Sequence, residues 1–138
     1  RAREGGRKLD TVGALIETVT PLIDPRKEKK ELAQLFQALR IEVNDEMGAL
    51  RELLEGALRV LRPGGRLAVI TYHSLEDRMV KNFLKTGDIT GKVDKDFFGR
   101  VNAPFKLLAS KPIVPDDDEV ARNPRSRSAK LRVGIKIG

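Results

Sequence analysis

Cysteine is absent from this chain, which excludes disulfides and thiolate metal centres. Aromatic residues make up only 4% of it, too few to support a stacking platform for single-stranded RNA. His73 is the single histidine, and with no second histidine or thiol beside it no metal site is expected. No apolar run approaches the ~18 residues of a membrane span, and no secretory signal is visible. The expected location is therefore cytoplasmic, with no membrane partner. An initiating methionine is lacking as well: the chain begins at Arg1, which leaves room for a fragment of a longer protein.

What is present is positive charge. The chain carries 27 Lys and Arg against 20 Asp and Glu, a net charge of +7. That balance favours an anionic partner, nucleic acid before membrane. A length of 138 residues is ordinarily one domain with a modest core.

The stretch Leu61–Arg78, LRPGGRLAVITYHSLEDR, organises the rest. Leu67, Ala68, Val69 and Ile70 form a short apolar run that predicts a strand buried on both faces, as in a parallel sheet. Arg62-Pro63-Gly64-Gly65 separates it from a helix, because proline cannot continue a helix and glycine permits the reversal. His73, Ser74, Glu76, Asp77 and Arg78 follow the strand at once. In open α/β sheets ligands bind outside the carboxyl ends of the strands, so these side chains stand where chemistry is expected.

Before this stretch, Val12, Leu15, Ile16 and Val19 have helical spacing, with Asp10 or Thr11 able to cap the first turn. That helix should end near Thr20-Pro21, and Asp24-Pro25 marks another start. A stripe of steps of three and four then runs from Leu32 to Leu61, with Gly48 as the expected bend or break. Gln37, Arg40 and Asn44 share one face of it, with Asp45 following. They form either a solvated face or a polar strip bordering a cleft.

After the strand, Leu75, Met79, Val80, Phe83 and Leu84 predict a short helix capped by Ser74. Glycine and charge from Lys85 to Ala103 predict a mobile loop, with Phe97-Phe98 pinned to a neighbour. Phe105 to Ile113 has the pattern of a strand up to Lys111-Pro112. Pro115-Asp116 opens a helical turn whose positive end suits Asp117, Asp118 and Glu119, and Asn123-Pro124 stops it. Leu131, Val133, Ile135 and Ile137 alternate with Arg132, Gly134 and Lys136, which predicts a strand with that apolar face buried. The two late strands, joined through a short turn, are expected to form an antiparallel pair.

Three passages, FQALRIEVNDE (Phe36–Glu46), PGGRLAVITYHSLEDR (Pro63–Arg78) and NPRSRSAKLR (Asn123–Arg132), resemble the C-terminal portion of the bacterial 16S rRNA cytosine-N4 methyltransferase family, RsmH or MraW. The acidic passage KPIVPDDDEVARNPR also fits. The resemblance implies an α/β fold: the C-terminal half of a Rossmann-like class I methyltransferase, with a parallel strand plus an antiparallel late pair, preceded by the end of a helical insert domain. Residues 1–44 would end the insert and residues 45–138 would form the second half of the methyltransferase domain. The central strand would be the fifth of the sheet and the late pair the sixth and seventh, the seventh lying beside the fifth. The implied reaction transfers a methyl group from S-adenosylmethionine to the exocyclic amine of a cytidine in the decoding region of 16S rRNA, so small-subunit RNA is the implied partner. The family's cofactor motifs lie in its N-terminal half, and no glycine-rich turn follows a strand here. No cofactor-binding residue is therefore assigned to this chain, which is expected to be inactive alone and to lack a partner half.

A cytosine amine is a poor nucleophile, because its lone pair is delocalised into the ring. Transfer needs alignment with the methyl group and acceptors for its hydrogens. The candidate acceptors are Asp77, Ser74, His73 and Glu46. Asp77 has rival structural roles, as a salt bridge to Arg78 or Arg40 or as a first-turn helix charge. His73 is a general base or a hydrogen-bonded structural histidine. Candidate RNA contacts are Asn123, Arg125, Arg127 and Lys130, with Arg40 and Asn44. Arginine pairs bidentately with phosphate; alternatively Arg125 and Arg127 tie their loop to Asp77. A basic RNA-binding module without chemistry remains the other functional class. Finally, the neighbour on the free edge of the central strand would belong to the absent half, so self-association through that open edge is expected.

Overall fold

The computed structural model describes residues 4–6, 8–99 and 101–138; much of the lead-in expected at Arg1 to Lys8 lies outside the described residues. Arg1–Glu46 and Met47–Gly138 form two compact units.

In the first unit, Thr11 caps α1 (Val12–Val19) by accepting the Ala14 amide at 3.1 Å. A 3-10 turn, Thr20–Leu22, follows with Pro21 in it. The Asp24 carboxylate accepts the Arg26 amide at 3.0 Å. Asp24-Pro25 therefore builds a turn, and α2 (Glu28–Asn44) begins beyond it. Helix α2 ends at Asp45, which takes the left-handed conformation at φ 47° and returns its amide to the carbonyls of Glu42 and Ile41. The long apolar stripe is thus two helices, broken at Asp45 and not at Gly48, which lies inside α3 (Glu46–Val60). Aspartate tolerates the left-handed region better than most residues bearing a Cβ. Within the first unit, Glu46 holds Arg40 Nε at 3.0 Å and Asn44 Nδ2 at 3.4 Å.

The second unit is a three-stranded sheet covered on one face by helices. β1 (Arg66–Thr71) and β2 (Phe105–Leu107) both pair antiparallel with β3 (Lys130–Lys136), in the order β1-β3-β2. The late pair is antiparallel as expected, and the last strand lies beside β1. Among the described residues every strand pairing is antiparallel, and β1 is an edge strand; the parallel neighbour is expected in the absent half and not in this chain. β2 is also shorter than the expected Phe105–Ile113. The Leu108 amide still reaches the Val133 carbonyl, after which the chain leaves the sheet and touches it again where Ile113 exchanges two bonds with Leu131. Pro112 has no N–H to contribute to a ladder, which helps end it. No short turn links β2 to β3; α5 (Asp117–Arg122) and a 3-10 helix, Pro124–Ser128, intervene.

The core joins Leu54 of α3, Val69 of β1, Phe105 of β2, and Val80, Phe83 and Leu84 of α4 (Ser74–Thr86). The Phe83 and Phe105 rings meet at 6.0 Å. The alternation of β3 works against the expectation. Arg132 and Gly134 are its buried positions, whereas Leu131, Val133 and Ile135 are half-buried on the opposite face. Each inward residue has a particular partner. Arg132 reaches Asp77 of α4. A Cβ at Gly134 would lie 2.7 Å from Leu84 Cδ2, so glycine admits the helix. Lys136 Nζ donates to the carbonyls of Leu58 and Leu61 at the end of α3, at 2.7 and 2.9 Å, where a cation suits the helix terminus. The apolar residues of β3 pair with Ala68 and Ile70 of β1 on the outer face. Ile70 is 57% exposed, so β1 is covered on one face and not on both.

Helix α4 closes on Gly87 at φ 79°. The segment Lys85 to Ala103, expected to be mobile, is organised by hydrogen bonds. Asp88 Oδ1 accepts the amides of Thr90 and Lys92, and Lys95 pairs with Val101. The rings of Phe97 and Phe98 meet edge to face at 5.6 Å, the Phe98 amide donates to Asp96 Oδ1 at 2.9 Å, and the two residues stand 98% and 83% exposed.

Candidate functional site

The carboxyl end of β1 gathers three short sequences. The first is the start of α4. Its cap is His73 and not Ser74: His73 Nδ1 accepts the Glu76 amide at 3.4 Å, while Glu76 Oε2 accepts the amides of Tyr72 and His73 at 3.0 and 3.4 Å. This reciprocal arrangement satisfies the free donors of the first turn. The other ring nitrogen, Nε2, faces the same glutamate. That nitrogen is buried and lies 3.1 Å from Glu76 Oε1, without the alignment of a hydrogen bond. Ser74 is exposed at the first helical position.

The second sequence is the start of β3. Arg132 Nε donates to Asp77 Oδ1 at 2.7 Å and Nη2 to Oδ2 at 3.1 Å. Lys130 Nζ lies 3.7 Å from Oδ2. Asp77 is 9% exposed and Arg132 is 6% exposed. The hydrogen bond from Arg132 holds the Asp77 carboxyl below the usual carboxylate range against the opposing effect of burial, and the charges of Arg132 and Lys130 lower it further. Among the described residues of the second unit the partners of Asp77 are thus Arg132 and Lys130, not Arg78, Arg125 or Arg127, and Asp77 is also a first-turn charge of α4, one of the alternatives open at the level of sequence.

The third is the 3-10 helix between α5 and β3. Asp116 caps α5 by accepting the Glu119 amide at 2.7 Å, and Asp117, Asp118 and Glu119 fill its first turn. Asn123 ends α5 and begins the 3-10 helix. Its carbonyl accepts both the amide and the hydroxyl of Ser126, at 2.9 and 2.8 Å. Ser126 is buried, and Arg125 and Arg127 on either side of it are exposed. One small inward residue thus stands between two exposed arginines. A cleft of about 350 Å³ is lined by Ile70, Tyr72, Leu131, Asp116, Asn123 and Ser126, the residue between the two arginines. The larger cavity, about 580 Å³, lies at the other end of the sheet near Gly87, Pro104 and Ile137, away from these residues.

Of the candidates read from the sequence, His73, Ser74, Asp77, Asn123, Arg125, Arg127 and Lys130 belong to this second unit. Arg40, Asn44 and Glu46 belong to the first unit and engage one another. Sequence reasoning left out Arg132 and Ser126, and it placed Glu76 after the strand without giving it the capping role it has. Arg132 was not signalled, because alternation set it on the face expected to be exposed, whereas the capping role of Glu76 could be read from its place three residues after a polar cap. Ser126 carried no signal. The described residues form no glycine-rich turn after a strand: Gly64-Gly65 precedes β1, and a capping box follows it.

Residues 3–137 match the model of a family described as the MraW methylase family. A ribosomal RNA small subunit methyltransferase H of Parabacteroides distasonis is 64% identical over 137 residues, which cover 99% of this chain and 45% of the relative. The protein of that name from Bacteroides fragilis is 61% identical over 131 residues, 95% of this chain and 43% of its own length. That from Amoebophilus asiaticus is 57% identical over 126 residues, 91% and 41%. The chain spans less than half the length of these relatives.

Proposed function

This chain belongs to the MraW methylase family, and we propose that it is the C-terminal portion of an enzyme that methylates N4 of a cytidine in the decoding region of 16S rRNA. The match over residues 3–137 carries the reading. The pair of exposed arginines on either side of Ser126, which lines the cleft at the carboxyl end of β1, supports it. The methyl donor is S-adenosylmethionine, held chiefly by the part of the enzyme that this chain does not span. Residues 1–44 end a helical insert, and residues 45–138 complete the methyltransferase sheet. Asn123, Arg125, Arg127 and Lys130 hold the phosphate backbone of the RNA, where guanidinium forks and ammonium groups give position more than sequence. Arg40 and Asn44 bind RNA from the helical part. Among the acceptor candidates, Glu46 is engaged by Arg40 and His73 by the helix cap, while the hydroxyl of Ser74 is exposed and suited to receive an amine hydrogen.

Transfer of labelled methyl from S-adenosylmethionine to small-subunit rRNA tests this. A protein of the relatives' full length that contains this chain is expected to label N4 of one cytidine, and the chain alone is expected to label nothing. Titration calorimetry of the chain alone is expected to show no binding of the methyl donor. Micromolar affinity there would overturn the assignment of the donor site to the remaining part.

A further inference from the structure

We infer that the Asp77–Arg132 pair is a positioning device for the Asn123–Lys130 segment and takes no part in the chemistry of methyl transfer; the inference rests on the function proposed above. A group that accepts an amine hydrogen needs a lone pair facing the substrate. Both Asp77 oxygens are instead held by one guanidinium, at 2.7 and 3.1 Å, and the residue is 9% exposed.

The pair joins two elements 55 residues apart. On one side stands the first turn of α4, whose start is fixed by the capping box of His73 and Glu76. On the other stands the beginning of β3. Between Arg132 and the 3-10 helix each residue is tied down. The Ala129 amide donates to Ser126 at 2.7 Å, and Leu131 exchanges two backbone bonds with Ile113. The Lys130 carbonyl accepts the Thr71 hydroxyl at 3.4 Å. The chain from Arg132 back to Ser126 is therefore stiff, and the place of Arg132 sets the place of Arg125 and Arg127.

An apolar pair here could stabilise the fold as well as an ion pair does. What the ion pair adds is uniqueness. A bidentate fork engages in one geometry. A slip of β3 by one residue would set Leu131 or Val133 against Asp77 and leave a buried carboxylate unpaired. The pair thus selects one register for β3, and with it one position for the two outward arginines.

The test uses a protein of the relatives' full length containing this chain, small-subunit rRNA and labelled S-adenosylmethionine. Asp77→Asn, Arg132→Lys and the exchanged pair (Asp77→Arg with Arg132→Asp) are compared by steady-state kinetics and by hydrogen exchange over residues 123–131. Each single variant is expected to raise KM for RNA by about tenfold and to leave kcat within about threefold, the signature of weakened binding with the chemistry intact. Each is also expected to speed amide exchange at Ser126 and Ala129, and the exchanged pair should recover part of the KM. A kcat loss of about a hundredfold at unchanged KM would put Asp77 in the chemistry and overturn the inference. A lower melting temperature with KM and exchange unchanged would also overturn it, in favour of a purely structural role. Should the exchanged pair fail to fold, Arg132→Lys decides through KM, because it keeps the charge and loses the fork. If the parent protein methylates no rRNA, the proposed function fails by itself, and exchange at Ser126 and Ala129 still decides the inference.

Discussion

Asp77 and Arg132 have titration consequences that can be read without any substrate. The Asp77 carboxyl lies below its ordinary value of 3.8, first because Arg132 donates to it and despite burial. Its ionised form is therefore favoured by folding. That contribution is complete above the ordinary value and is lost as the pH falls through the lowered one. Asp77→Asn is expected to cost about 3 kcal/mol at neutral pH, the low end for breaking a buried pair because an amide still accepts from Arg132. The gap should narrow as the pH falls below the ordinary carboxylate value and on through the lowered one. Urea midpoints for both proteins over a series of pH values from 7 into the acid range check this; a gap of constant size would contradict it. Arg125 and Arg127 make a different residue-level prediction, because they are exposed and their charge is spent on a partner. In the full-length enzyme, each alanine variant is expected to weaken RNA binding and to lower the salt slope by about one unit for each phosphate it no longer neutralises. Binding isotherms from low to moderate salt measure it, and an unchanged slope would remove phosphate binding as their role.

Helix α4 begins where a histidine, not a serine, accepts the first-turn amide. His73→Ala is therefore expected to destabilise the second unit by about 1 kcal/mol, the usual cost of losing a cap. Ser74→Ala should change stability by less than about 0.5 kcal/mol, as for an exposed residue with no special partner. Thermal melts of the two variants separate the assignments. The sequence made α4, β1 and the late antiparallel pair legible because local periodicity and turn residues specify them. The end of α2 was misplaced because Gly48 is the more obvious breaker. Asp45 takes the left-handed turn because Glu46 draws Arg40 and Asn44 together, a three-residue agreement that periodicity does not record. The inward face of β3 was misread for a related reason. Alternation reports which face is apolar, not which face meets α4, and here the helix side is filled by Arg132, Gly134 and Lys136. In the site, the cluster after β1 could be anticipated from the rule for strand ends. The partner of Asp77 could not, because it lies 55 residues away.

At the scale of the whole molecule, the second unit has a covered sheet face and an open one. Ile70, Tyr72, Leu108 and Ile113 are each more than half exposed, and the outer edge of β1 pairs with no strand among the described residues. Neither Lys nor Pro interrupts β1 between Leu67 and Thr71 to blunt that edge. The chain by itself is expected to self-associate through it, with apparent mass rising with concentration in light scattering. A strictly monomeric species with slowly exchanging β1 amides would contradict this. The order β1-β3-β2 bears also on how such a sheet is made. Its middle strand is the last in sequence, and Thr71 waits 59 residues for the carbonyl of Lys130. When residues 1–138 are translated by themselves, β1, then α4, then β2 leave the exit tunnel before β3, the strand both pair with, has been made. Pairings of such long sequence separation close late. A nascent chain arrested before Lys130 is expected to show helical signal without protected strand amides. The strand that sets the position of the arginines is also the one that completes the sheet, so during synthesis the binding surface and the folded unit come into being together.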